Sequence, residues 1–113
     1  MVKKASDEAF QKTTNGQARS GLAEAGFAIE YKDGKVSIAN KVDSVNESGT
    51  ANQLHIKTDA NTIAILHTHG NKALATPSPG DLKSPVPNFV RSQRELYVTA
   101  PGTTNYIKLD PPN

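Results

Sequence analysis

The chain has no cysteine and no tryptophan, a single methionine, and only 5% aromatic residues in a length of 113. Without cysteine there is no disulfide framework, no thiolate zinc or iron–sulfur site and no Cys nucleophile, so any metal must be held by His and carboxylates. Apolar residues make up 35% of the chain, against a usual share of roughly 45–50% counted with Gly. The core is therefore modest, and the length suits one small domain over residues 1–113. Neither sign of charge dominates: 13 Lys and Arg face 11 Asp and Glu, for a net +2, and the sequence pI is near 8.9. A bias this weak predicts neither a nucleic-acid nor a membrane partner. No apolar run approaches the ~18 residues of a membrane span. Met1-Val2-Lys3-Lys4 leads into Ala5-Ser6-Asp7-Glu8 with no signal-peptide apolar region. The expectation is a soluble domain, and Met1 equally suits the start of a segment excised from a longer protein.

Ser6 ahead of Asp7 and Glu8 offers a cap and then acids for the positive end of a helix dipole, and Asn15-Gly16 offers a stop. These signals predict a short helix over 7–15. Ala25 to Lys32 turns from apolar to alternating, and Asp33-Gly34 separates it from Lys35-Val36-Ser37-Ile38-Ala39, which predicts a hairpin with a type I′ turn. Val42 and Val45 extend its second arm, and residues 46–52 read as an exposed loop. Thr62-Ile63-Ala64-Ile65-Leu66-His67 is the most apolar run and is expected to be a central strand buried on both faces. After a loop over 70–80, Ser78 caps a helix whose first residue is Pro79, and Pro85 and Pro87 limit that helix to about a turn or displace its continuation to Asn88 onward. A second hairpin, Glu95–Thr99 and Asn105–Leu109 around Pro101-Gly102, closes the chain. Together these elements predict an α+β domain with a mixed, mostly antiparallel curved sheet flanked by short helices.

One constellation carries chemistry. His67 and His69 are one residue apart at the end of the apolar strand, so both imidazoles leave the same face. Asp81 follows twelve residues after His69, in Ser78-Pro79-Gly80-Asp81 at a helix start. That loop can return the carboxylate over the strand end, giving two imidazoles and one carboxylate around one cation. Such a set with an open fourth position is a catalytic zinc arrangement. His55 lies in a polar, loop-like segment and is read as exposed rather than as a ligand.

The run Ile63-Ala64-Ile65-Leu66-His67-Thr68-His69-Gly70, eight residues from Gly70 to Pro77, and then Ser78-Pro79-Gly80-Asp81 resemble the signature of the JAMM (JAB/MPN) metalloprotease family. That family pairs the signature with a glutamate on an earlier strand, similar to Glu24 in Glu24-Ala25-Gly26-Phe27-Ala28-Ile29. The likeness covers about residues 20–109 as a catalytic core. It differs in carrying Gly70 where the family has Pro after the second His, and in a spacer one residue longer than many members have. Within the family the chain is nearer to small bacterial JAB-like domains at the C-termini of Rhs-type and other polymorphic toxins. They share the His-Thr-His-Gly form, the Ser-Pro-Gly-Asp ending and the terminal strand pair that includes Thr99-Ala100-Pro101-Gly102.

The resemblance implies an MPN, cytidine-deaminase-like fold and a Zn²⁺-dependent peptidase or isopeptidase. Its metal would sit on His67, His69 and Asp81, with Glu24 as general base and acid and Ser78 donating to the oxyanion. The bland alternative for Glu24 is a solvated strand-edge residue, and for Ser78 a helix cap alone. Glu30 is the second candidate base, six residues away on the same face. The implied partners are a peptide or protein substrate and a cognate immunity protein, with delivery inside a larger effector. The alternatives are a non-catalytic MPN-like interaction module, or a cytoplasmic housekeeping JAMM peptidase acting in phage-tail or sulfur-carrier processing.

Overall fold

Asp33 and Gly34 both take positive φ, 53° and 76°, as a two-residue type I′ turn requires. They join β1 (Ala23–Lys32) to β2 (Lys35–Val45) in the expected hairpin. The computed structural model describes residues 3–11, 23–45, 55–69, 76–92 and 95–109. Between the pairs Gly26↔Val42 and Ala28↔Ala39 the second strand carries one extra residue. Asn40 absorbs this bulge at φ 54°, and its Nδ2 donates to the Lys57 carbonyl at 2.9 Å, tying the hairpin to the segment that leads into β3.

β3 (Thr62–Thr68) lies beside β1 in antiparallel register, with Gly26 opposite His67 and Ala28 opposite Ile65. On its other side it pairs in parallel with β4 (Asn88–Arg91). β5 (Leu96–Thr99) and β6 (Tyr106–Leu109) continue antiparallel, so the six-stranded order is β2-β1-β3-β4-β5-β6. A parallel pair needs a crossover, and here that connection contains the helical turn α2 (Pro79–Leu82).

The first helix, α1 (3–11), packs Ala5 and Ala9 against Ala25, Phe27, Ile29, Ala64 and Leu66 on one face of the sheet. Residues of the opposite alternation in the same strands, Glu24, Ile65 and His67, line a cleft on the other face. The sheet is thus a wall with the core behind it and the candidate site in front.

Three sequence expectations are corrected. The helix begins ahead of Ser6, which is buried inside it and accepts a hydrogen bond from Arg91 Nη1 at 2.8 Å. A tertiary partner has taken the hydroxyl that local pattern assigned to a cap. The expected helix positions 12–15, the segment 16–21, loop residues 46–52 and the part of the later loop over 70–75 lie outside the described residues. Asn88–Arg91 is a strand that the pattern did not reveal, because four residues between a proline-rich turn and a polar pair are too short to display a period. Finally, β3 is central but not buried on both faces: Ile63 is 47% exposed, where the register with β1 shifts between Ile29 and Glu30. Among the described residues no helix is long and apolar enough to cross a membrane.

Candidate metal centre

The end of β3 carries His67, and His69 follows one residue beyond it with its backbone N–H donating to the Arg91 carbonyl at 2.8 Å. The two-residue spacing turns both rings to one side, with centroids 4.9 Å apart and both side chains buried. Between them Thr68 points to the other face. It is fully buried, and its Oγ1 accepts from the Ala25 N–H at 3.1 Å and donates to the Ala25 carbonyl at 3.3 Å. That double tie holds the start of β1, and with it Glu24, against the histidine end of β3.

Glycine at 26 is required by close approach. A Cβ there would lie 2.5 Å from the Leu66 carbonyl oxygen, 2.8 Å from Ile56 Cδ1 and 3.1 Å from His67 Cβ. Its absence lets β1 and β3 meet beside the first histidine.

Asp81 comes from the first turn of α2 and is oriented by a reciprocal cap. The Ser78 N–H donates to Asp81 Oδ2 at 2.8 Å, and the Asp81 N–H donates to Ser78 Oγ at 3.3 Å. Held this way, Asp81 places Oδ1 3.2 Å from His67 Nε2 and Oδ2 3.3 Å from His69 Nε2. The two Nε2 atoms are themselves 3.1 Å apart. Glu24, His67 and His69 each offer a ligand atom within 4.8 Å of the other two. Glu24 Oε1 stands 3.8 Å from His69 Nε2, so of the two carboxylates Asp81 is the closer to the imidazoles.

These spacings fit a small divalent cation. A tetrahedral ion with bonds of about 2.0–2.1 Å separates its ligands by roughly 3.3 Å, close to the separation of the two Nε2 atoms and to the distance from each of them to its own nearer Asp81 oxygen. The donor set of two imidazoles and carboxylate oxygen also suits such an ion.

Environment drives the two carboxyls in opposite directions. Burial pushes Glu24 up from its ordinary value, and the nearby Asp81 adds to this, while the two imidazoles pull the other way. Burial would raise Asp81 too, but its contacts with His67 and His69 and the Ser78 N–H prevail and hold it well below the usual carboxylate range.

The site opens into a cleft of about 750 Å³ that Glu24, His67, Ser78 and Asp81 all line. The structure therefore brings together every residue singled out from sequence except Glu30. That residue is opposite Thr62, at the far end of β3 from the histidines. His55 is exposed, as expected, and lies on the cleft wall.

Sequence reasoning missed Asn88. It opens β4, is 4% exposed, and its Oδ1 is 2.9 Å from His67 Nδ1. The signal available was Asn88-Phe89-Val90 directly after Pro85 and Pro87, which argue against helix and for extended chain. No known protein family, curated protein or solved structure matches this chain.

Proposed function

We propose that this chain is a Zn²⁺-dependent amide hydrolase, a peptidase or isopeptidase of JAMM type on an MPN-like fold, and the toxic domain of a secreted bacterial effector. The observation that carries the chemistry is the convergence of His67 Nε2, His69 Nε2 and the Asp81 oxygens at 3.1–3.3 Å, with Glu24 alongside. His67, His69 and Asp81 would hold the ion. When bound, zinc supplies a Lewis acid and brings the pKa of water near neutrality.

The remaining work falls to the chain. Glu24 takes the proton of the attacking water and returns it to the leaving amine. Its raised pKa suits a proton carrier, while the lowered pKa of Asp81 suits a permanent ligand. Ser78 Oγ accepts from the Asp81 N–H, which leaves its own proton free to donate to the carbonyl oxygen as negative charge develops. The cap and the catalytic role are therefore compatible. The effector reading rests on the likeness to toxin-tip domains, and implies a protein substrate in the target cell and a cognate immunity protein.

The test has three parts. Purified protein is assayed for zinc stoichiometry, for cleavage of peptide and isopeptide libraries, and for growth inhibition when expressed in a bacterium. One equivalent of zinc, cleavage abolished by Glu24→Gln with zinc retained, and toxicity relieved by His67→Ala are expected. Absence of stoichiometric zinc binding overturns the metalloenzyme, and equal growth with wild type and His67→Ala overturns the toxin.

A further inference from the structure

We infer that Asn88 is the positioning residue of this centre: it holds His67 as the tautomer with its proton on Nδ1 and ties that histidine to the helical turn carrying Asp81. The inference rests on the metal-centre reading. The Asn88 Nδ2 donates to the Asp81 backbone carbonyl at 3.4 Å. A carbonyl only accepts, so this contact fixes which end of the amide faces which neighbour. The other end, Oδ1, then lies 2.9 Å from His67 Nδ1. An amide oxygen donates nothing, so the proton in that bond belongs to the imidazole at Nδ1, and Nε2 is the nitrogen whose lone pair is available to a cation when the ring is neutral.

That lone pair points at His69 Nε2 at 3.1 Å and Asp81 Oδ1 at 3.2 Å. His69 Nε2 in turn lies 3.3 Å from Asp81 Oδ2, so the Asn88 bond turns the His67 ring toward the point on which the second histidine and the carboxylate also converge. Asn88 itself has little freedom. It is buried, its backbone N–H donates to Thr99 Oγ1 at 3.1 Å, and its strand position is opposite Ile65 on β3. One side chain thus spans the two elements that supply ligands, β3 and α2.

The test uses the full chain, with Asn88→Leu removing the acceptor at similar volume and Asn88→Asp restoring an acceptor toward Nδ1. Zinc affinity is measured by competition with a chromogenic chelator, and the His67 tautomer by long-range ¹⁵N–¹H NMR of the metal-free protein at alkaline pH. Expected are an Nδ1–H tautomer in the wild type, its loss in Asn88→Leu with zinc affinity down about 10–100-fold, and recovery of most of both in Asn88→Asp. Equal zinc affinity in wild type and Asn88→Leu overturns the inference while leaving the metal centre standing. If the wild type binds no zinc, the metal reading fails, and the tautomer of the metal-free wild type still decides whether Asn88 orients the ring. If Asn88→Leu does not fold, an Nε2–H tautomer in the wild type is sufficient to overturn it.

Discussion

Replacing Gly26 with alanine tests whether the contact between β1 and β3 sets the metal centre. The added Cβ would sit 2.5 Å from the Leu66 carbonyl oxygen and 3.1 Å from His67 Cβ. Carbon and carbonyl oxygen ordinarily approach no closer than about 3.3 Å, so the strands must separate locally by roughly 0.8 Å. Ile56 can swing away, but the Leu66 oxygen belongs to a backbone clamped between β1 and β4. A ladder bond of about 2.9 Å stretched by that amount passes the distance at which it counts as a hydrogen bond, at a cost of about 1 kcal/mol. Overpacking adds about 1–3 kcal/mol, for a total of about 2–4 kcal/mol. At roughly 4 °C per kcal/mol for a domain of this size, Tm should fall by about 8–16 °C. Displacement of His67 should also weaken zinc binding about tenfold or more. Gly34→Ala is the control. Gly34 has positive φ, 76°, which Gly26 does not, but nothing lies within 4 Å of the new Cβ, so the substitution should cost about 1 kcal/mol of backbone strain and leave zinc affinity unchanged. Thermal unfolding by circular dichroism and zinc titration calorimetry read both effects. A Tm for Gly26→Ala within about 2 °C of wild type, or an unaltered zinc affinity, refutes the reasoning.

Other expected outcomes follow from the same geometry. Zinc at a hundred times its Kd should stabilise the wild type by about 2.7 kcal/mol, and His69→Ala should abolish that shift in a thermal scan with and without the ion. Glu24→Gln should retain zinc but lower the hydrolysis rate by about 10²–10⁴-fold, read by peptide cleavage. Arg91→Met should loosen α1, because Arg91 Nη1 bonds both Ser6 and Asp7 (2.8 and 2.6 Å) and the guanidinium lies over Phe10. Faster hydrogen exchange across 3–11 checks this. The bond from Lys3, then that from Arg91, lower the pKa of Asp7. Its stabilising contribution is therefore present above the unfolded carboxylate pKa of about 3.9 and lost as pH falls through the lower folded value. The Tm gap between wild type and Asp7→Asn should narrow as acid is added below about pH 4.

The sheet's first hairpin was legible because Asp33-Gly34 is a local instruction: two residues that accept positive φ between two alternating runs. The histidine pair was legible for a similar reason, since a period of two within one strand puts both rings on one face without any long-range information. Asp81 needed only a short loop and a cap whose atoms lie within four residues. Ser6 misled because its local context fits a cap, whereas Arg91, 85 residues away, claims its hydroxyl.

By itself the sequence determined an α+β chain without thiol chemistry, one hairpin turn, and a set of nitrogen and oxygen ligands at workable spacing. These are properties of nearest neighbours and of composition. Only the tertiary structure decided that Glu24 rather than Glu30 stands beside the histidines, because register between β1 and β3 depends on the Gly26 approach and the Thr68 ties. It alone decided the role of β4, whose parallel seat beside β3 places Asn88 against His67 and the Arg91 carbonyl against the His69 N–H. Parallel pairing joins segments separated by a long connection, and no periodicity within four residues can encode which strand they will meet.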